Sequence, residues 1–463
     1  MRRAAAPIGF WTLARVAQAL GSGPSDTRAV RSICTDTRQV QPGDLFVALR
    51  GDTFDAHEFL HQAVAKGAVA VVVRDAKYGL ALGVPVYVVT DTVHALGLLG
   101  RYRRRVWGRP VIAVGGSNGK TSTKELIRAA LGARLAVHAT QGNLNNQIGV
   151  PLTLLAIPDD ADIAVIEVGT NTPGEIALLR TIVEPNIAVV TTVQEEHLEG
   201  FGDLAGVMRE EATLLDGVPI AVVPASDTTL VAEARRRAGR TVTSGLSDGD
   251  LVAAGFGLTP DGRSWIDLDG TRIVVPLRGE HNGRNAMLAL AVASECGISI
   301  AEAGAAISAI DVTALPEMRS AVTPLGAALL INDAYNSNPG SATAALALLV
   351  AVGAGRQRVA VLGTMRELGA QAERAHREIA QAALDSGVEL IAGIGDFARV
   401  LTEMGKGQSR DARVITASDV EELWPMLAPK LAPTAAILLK ASRGVRLERL
   451  VPLLSAWSDG QGH

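Results

Sequence analysis

The sequence predicts an α/β protein of three domains: a small N-terminal α/β domain, a central domain on a P-loop parallel sheet, and a Rossmann-like C-terminal α/β domain. Three observations carry this. Residues Val111 to Glu125 read V-I-A-V-G-G-S-N-G-K-T-S-T-K-E, an apolar strand running into a glycine-rich turn and then a helix-forming segment. Short apolar runs recur along the chain with helix-sized segments between them, the rhythm of parallel strands covered on both faces. Finally, 463 residues exceed one ordinary core.

The first block, residues 1–106, opens with a helix-like segment, Trp11 to Leu20, broken by Gly21-Ser22-Gly23-Pro24. Strand signals follow at Asp44 to Leu49, Ala68 to Val73 and Val84 to Val89, with a helical stretch from Ala56 to Lys66. The densest basic cluster, Arg101 with Arg103, Arg104 and Arg105, reads as a solvated linker into the second block. In that block, residues 107–314, apolar runs at Ile163 to Val168, Ile187 to Val190 and Ile220 to Val223 continue the parallel sheet. Leu251 to Val275 reads as antiparallel strands with turns at Asp261-Gly262 and Asp269-Gly270, and Asn285 to Cys296 as a helix. Pro316 marks the boundary to the third block, residues 315–463. Its strand signals are Ala327 to Ile331, Arg358 to Leu362, Leu390 to Ile394 and Ala435 to Leu439.

Composition narrows the function classes. A hydrophobic content of 48% with 20% charged residues suits a packed globular protein. The net charge of −4 gives no polybasic face for nucleic acid or anionic membrane, and 3% aromatics provide no stacking platform. Cys34 and Cys296 suggest neither a disulfide framework nor a zinc site, and a reducing cytoplasm fits. The N-terminus makes a poor signal peptide, and the apolar runs are too short to span a bilayer. A monomer with small-molecule partners is expected.

The chemistry concentrates at strand ends, where open parallel sheets hold ligands. In the turn Gly116, Ser117, Asn118 and Gly119, backbone N–H groups can approach an anion, and the helix start adds partial positive charge. Lys120 reaches terminal phosphates, the Thr121 hydroxyl suits Mg²⁺, and Ser122 follows. Val114 stands where the full G-x-x-x-x-G-K-[ST] pattern has its first glycine, so this is a shortened variant. Glu167 ends the next apolar run, Thr191-Thr192-Val193 leads to His197, and Q-G-N-L-N-N-Q-I-G-V-P carries Asn143, Asn145 and Asn146. Each has a plainer reading: Glu167 as a helix cap, His197 as a core or helix-start residue, the asparagines as turn formers. Their joint arrival around one phosphate loop favours the site, with Thr121 and Glu167 as oxygen ligands for Mg²⁺.

The chain resembles the Mur ligase family of ATP-dependent amide ligases of peptidoglycan synthesis. The resemblance covers nearly its whole length. It rests on T-D-T-R (Thr35 to Arg38), P-G-D-L-F-V-A-L-R-G (Pro42 to Gly51), G-N-L-N-N-Q-I-G-V-P (Gly142 to Pro151) and N-T-P-G-E-I (Asn171 to Ile176). It continues through H-L-E-G-F-G (His197 to Gly202), G-E-H-N-G-R-N-A (Gly279 to Ala286) and D-A-Y-N-S-N-P (Asp333 to Pro339). V-L-G-T-M-R-E-L-G (Val361 to Gly369) and K-A-S-R (Lys440 to Arg443) complete it.

The resemblance implies a first domain for a uridine nucleotide, a second for ATP, and a third that closes over both. The substrates it implies are a UDP-linked muramoyl tripeptide and the dipeptide D-alanyl-D-alanine, joined through an acyl-phosphate. By motif, Lys120 would contact the β- and γ-phosphates, Thr121 and Glu167 the first Mg²⁺, and His197 the second. His281, Asn282 and Asn285 would lie on the adenine side, while Arg319 and Asp333 reach from the third domain to phosphate and ribose. Asp36 and Arg38 fall where the family holds the uridine nucleotide. Asn143, Asn145, Asn146, Asn336 and Asn338 are further substrate-binding candidates.

Departures from the pattern matter as well. Glu211 occupies the place of a lysine that the family carbamylates to steady the second Mg²⁺. Glutamate supplies a permanent carboxylate but is shorter, so metal contact would need a bridging water or a shifted backbone. Thr364 stands for the usual aspartate and Ala441 for the usual glycine. These changes leave two alternatives beside the cell-wall ligase: a specialised paralogue with another acid or amine, and a nucleotide-binding regulator without catalysis.

Overall fold

The computed structural model describes residues 9–51, 54–79, 81–314, 321–405 and 413–460. Strand β1 (Trp11–Thr12) pairs antiparallel with β2 (Ala29–Val30). A four-stranded parallel sheet follows in the order β3 (Ile33–Cys34), β4 (Leu45–Val47), β5 (Ala70–Val73), β6 (Val86–Val88). Strands β4, β5 and β6 lie inside the three expected runs but are shorter, whereas β1, β2 and β3 fall outside them. The stretch read as one helix from Ala56 splits into a 3-10 turn, Ala56–Phe59, and a helix, Leu60–Ala65.

The basic cluster is corrected by the structure. Arg101 to Arg105 belong to the helix Thr92–Trp107, which Asp91 caps through the N–H groups of Val93 and His94. Arg103 is 1% exposed and donates to the Ile157 carbonyl while pairing with Asp159, each at 2.6 Å. Arg104, also buried, donates to the carbonyls of Val183 at 3.0 Å and Glu184 at 2.9 Å. Arg101 and Arg105 hold the Glu184 carboxylate. The reason is local: the helix Glu175–Val183 ends here, and its last carbonyls need donors. A charge cluster alone does not tell a solvated run from such a clamp.

The central sheet is parallel throughout its seven strands. Its members are β7 (Val111–Gly115), β8 (Val137–Ala139), β9 (Ile163–Glu167), β10 (Ile187–Val190), β11 (Ile220–Pro224), β12 (Arg240–Gly245) and β13 (Leu251–Val252). The spatial order is β13-β12-β11-β10-β7-β9-β8. Every residue of β7, β9 and β10 is buried, which is why these three read as unbroken apolar runs. The chain goes one way from β7 to reach β9 and the other way to reach β10, so their loops open a crevice at the switch point.

Leu251–Val252 therefore extends the parallel sheet, and the antiparallel reading holds only from Gly255 onward. There β14 (Gly255–Leu258), β15 (Arg263–Leu268) and β16 (Thr271–Arg278) form two hairpins. Asp269 and Gly270, with φ of 48° and 71°, make the tight turn between the last two. The helix expected from Asn285 begins earlier, spanning Glu280–Glu295.

The third sheet has six strands: β17 (Ala321–Leu325), β18 (Ala328–Asp333), β19 (Arg358–Gly363), β20 (Leu390–Ile394), β21 (Val414–Ala417) and β22 (Ala436–Lys440). Their order is β17-β18-β22-β19-β20-β21, with β17 antiparallel and the rest parallel. The four expected strands form the middle, and the edges β17 and β21 gave no apolar run. Pro316 lies outside the described residues. Among those described, no helix is long and apolar enough to cross a membrane.

Candidate active site

Strand β7 delivers its last residue, Gly115, into the glycine-rich turn. Gly116 has φ +112°, and a Cβ there would lie 2.4 Å from Thr191 Oγ1. Gly119 has φ +81°, with Asn285 Oδ1 only 2.8 Å from a Cβ. Both places exclude a side chain. The turn is stapled to the end of β10: Ser117 N–H donates to the Thr192 carbonyl at 2.8 Å, and Thr191 Oγ1 to the Asn118 carbonyl at 2.6 Å. Helix Lys120–Leu131 then starts with no side-chain cap, leaving its first N–H groups facing the hollow of the turn. The Lys120 ammonium folds back onto the carbonyls of Gly116 and Ser117.

Around this turn lie buried oxygens with nothing to bind. Thr121 Oγ1, Glu167 Oε2 and Glu211 Oε1 have no hydrogen-bond partner among the described residues, and their side chains are at most 2% exposed. Orphaned oxygens of this kind are costly unless another ligand satisfies them. A hydroxyl and carboxylates are the hard donors that Mg²⁺ takes beside phosphate, so these residues fit that cation. No cluster of three or more His, Cys, Asp or Glu suited to a metal occurs among the described residues. The fit is to a cation that needs phosphate oxygens as well.

Glu167 is held at the end of β9, its Oε1 accepting from Asn145 Nδ2 at 2.9 Å. It does not cap the next helix. Glu210 does, accepting the N–H groups of Gly174 and Ile176, each at 2.8 Å. Glu211, the next residue, turns the other way: its Oε2 accepts the Gly116 N–H at 2.7 Å. Helix Leu204–Ala212 packs so closely that a Cβ on Gly115 would meet Glu211 Oε2 at 3.2 Å. The shorter side chain thus reaches the phosphate loop directly. Burial pushes its carboxyl above the usual range, opposed by the Lys120 charge and the Gly116 N–H.

One buried acid carried no sequence signal. Glu196 is 5% exposed, with Oε1 3.9 Å from Lys120 Nζ and Oε2 4.0 Å from His197 Nε2. Burial pushes it up to about 8, with Lys120 opposing and Glu211 adding. In sequence, Gln194-Glu195-Glu196 reads as an ordinary solvated run. His197 is the N-cap of the short helix Leu198–Phe201, without a side-chain cap bond. Its Nδ1 meets the Glu367 carboxylate, and burial keeps its basicity low.

The remaining candidates divide by location. Asn282 Nδ2 donates to the Arg278 carbonyl at 2.7 Å and Asn285 Nδ2 to Asn282 Oδ1 at 3.0 Å, bracing the helix that carries His281 against the phosphate loop. Burial pulls His281 down to about 4, with Asp333 opposing and Lys440 and Arg284 adding. From the third sheet, Asp333 pairs with Lys440 Nζ at 2.6 Å, and Lys440 also donates to the Asn336 carbonyl at 2.7 Å. Asn338 caps helix Pro339–Val352 and exchanges amide hydrogen bonds with Asn118 at 3.0 and 3.1 Å. Ser122 lies in the first turn of the phosphate-loop helix, partly exposed. Asn143 is exposed, and Asn146 Oδ1 is spent on the N–H groups of Ile148 and Gly149. Asp36 and Arg38 follow β3 of the first sheet and pair with each other at 2.7 Å. Arg319 lies outside the described residues.

A phosphate loop at a switch point, oxygens suited to a cation and a third sheet docked onto the loop define a nucleotide-using α/β enzyme. Residues 29–104, 114–293 and 318–443 match, in turn, the Mur ligase family catalytic domain, the Mur ligase middle domain and the Mur ligase glutamate ligase domain. The UDP-N-acetylmuramoyl-tripeptide–D-alanyl-D-alanine ligase of Escherichia coli (strain K12) is 34% identical, covering 91% of this chain and 93% of its own. A crystal structure of MurF from Acinetobacter baumannii superposes with a TM-score of 0.88 at 29% identity, covering 97% of this chain and all of that one. MurF from Thermotoga maritima in complex with ADP gives 0.82 at 25% identity, over 93% and 99%. The chain belongs to the Mur ligase family.

Proposed function

We propose that this chain is the ATP-dependent peptide ligase that joins D-alanyl-D-alanine to UDP-N-acetylmuramoyl tripeptide in cytoplasmic peptidoglycan precursor synthesis. The observation that carries the chemistry is the phosphate loop set against the donorless oxygens of Thr121, Glu167 and Glu211. Loop N–H groups, the helix start and Lys120 bind and orient the ATP phosphates, holding the terminal one for attack by the tripeptide carboxylate. The acyl-phosphate so formed takes the dipeptide amine, and phosphate leaves from the tetrahedral adduct. Thr121 and Glu167 hold the first Mg²⁺, and His197 with Glu211 the second. Bound there, Mg²⁺ supplies charge neutralisation for the transferring phosphoryl group. His281, Asn282 and Asn285 line the adenine side, and Asp333 and Arg319 serve ribose and phosphate from the third domain.

The other departures take structural places. Thr364 Oγ1 accepts the Asp396 N–H at 3.0 Å at the start of helix Asp396–Met404, and Ala441 is buried beside β19. Neither reshapes the phosphate loop, so Glu211 is the change that bears on chemistry. Phosphate release from ATP tests the proposal: it should require both UDP-N-acetylmuramoyl tripeptide and D-alanyl-D-alanine. Stimulation by a different acid and amine alone would assign the chain to a specialised paralogue, and none by any pair to a regulator.

A further inference from the structure

Two non-glycine residues with left-handed backbones face each other across the contact between the central and third domains. His197 has φ 49° and Glu367 φ 66°, and the Glu367 carboxylate binds His197 Nδ1. Such conformations are rare away from glycine and persist where the surroundings enforce them, often at working sites. Here the surroundings are a grip. Glu199 N–H donates to the Glu367 carbonyl at 3.2 Å, Arg374 Nη2 lies 2.7 Å from Glu195 Oε1, and Gly369 packs on Glu199. Three residues of one short central segment are thus held by the third domain.

The Glu367 side chain is 57% exposed and that of His197 17%. A pair so open to solvent adds little to stability, so its contribution is direction. With Nδ1–H committed to Glu367, the Nε2 lone pair faces inward, toward Glu196 and the Lys120 side of the phosphate loop. A carboxylate on the far nitrogen is the device that fixes tautomer and ring plane in metal-binding histidines and raises their basicity.

We propose that Glu367 is a positioning residue: it orients His197 as a cation ligand, and it does so from the third domain. The imidazole is then correctly set only while that domain is seated, because domains joined by modest polar contacts separate readily. This deepens the proposed function and rests on its reading of His197 as a Mg²⁺ ligand.

The experiment measures Mn²⁺ binding to the full-length chain with ADP, by electron paramagnetic resonance of free Mn²⁺, for the parent, Glu367→Ala, Glu367→Gln and Arg374→Ala. Glu367→Ala should weaken the weaker Mn²⁺ site about 10- to 100-fold, with Glu367→Gln recovering most of that and Arg374→Ala staying within about threefold of the parent. Turnover should show the same order in kcat, with the dipeptide KM unchanged. Glu367→Gln keeps the side-chain shape and an acceptor oxygen, so it guards against a folding defect in the alanine variant. Mn²⁺ affinity in Glu367→Ala within twofold of the parent would overturn the proposal, as would equal weakening in Arg374→Ala. Binding is read without either substrate. A chain that shows the metal effect but no ligation of the two substrates refutes the functional reading and leaves this one standing.

Discussion

Glu211 Oε2 accepts the Gly116 N–H at 2.7 Å, so a carboxylate from helix Leu204–Ala212 braces the underside of the phosphate loop. Its other oxygen has no donor among the described residues. The residue joins a loop-holding role to an oxygen open to a cation. Burial alone disfavours its charged form, and a cation bound beside it would restore that form with no carbon dioxide adduct. Removing bicarbonate should therefore leave the parent rate unchanged. Glu211→Lys should be nearly inactive without bicarbonate and partly restored by it. Strong bicarbonate dependence in the parent would show that a lysine elsewhere supplies the charge.

Lys120 lies on the loop carbonyls, poised to swing toward a phosphate. Lys120→Ala should lower kcat on the order of a hundred- to a thousand-fold, the loss seen when one preorganised charge-stabilising donor is removed. Its fold should be intact by circular dichroism. Activity within a few-fold of the parent would remove Lys120 from the phosphate site.

Burial holds His281 neutral in the folded chain down to about pH 4, whereas an exposed histidine takes its proton near 6.5. Between those values the unfolded chain binds more protons, so stability falls as pH falls. His138 and His376, also pulled down by burial, act in the same direction. Relative to the parent, His281→Gln should flatten the decline in urea-unfolding free energy by roughly 1 kcal/mol per pH unit between about pH 6 and 5. An unchanged slope would mean that His281 is not enclosed as described.

Arg103 satisfies the Ile157 carbonyl from a buried position and lies over the Phe10 ring at 4.5 Å. Arg103→Met keeps most of the apolar stem but strands that carbonyl, at a cost of about 1–3 kcal/mol. Chemical denaturation should report it as a lower midpoint with unaltered catalysis at low temperature. A neutral result would restore the view of this cluster as a solvated run.

The fold was legible where burial is two-sided. Strands β7, β9 and β10 are wholly enclosed and so are uniformly apolar, and the glycine turn after β7 has a steric signature. Other strands escaped: β12, though paired on both sides, is mostly polar, and the edge strand β21 is short and half covered. Among site residues, the phosphate loop and Glu167 stood out by position after a strand. Glu196, Glu367 and Arg374 did not: what makes them notable is contact across distant segments, and an isolated acidic or basic residue looks the same in sequence whether solvated or enclosed. The clamp made by Arg103 and Arg104 was misread for the same reason.

The Asn118–Asn338 contact carries one more consequence. Each amide gives one N–H and receives one, closing a small neutral ring between the phosphate loop and the third domain. Because neither partner is charged, ionic strength leaves its attraction almost untouched, unlike the nearby Glu195–Arg374 pair. Water can replace either half at little cost. It is a self-complementary clasp of the same strength in dilute buffer and in a salty cell, and it sets the register of the phosphate loop against the third domain.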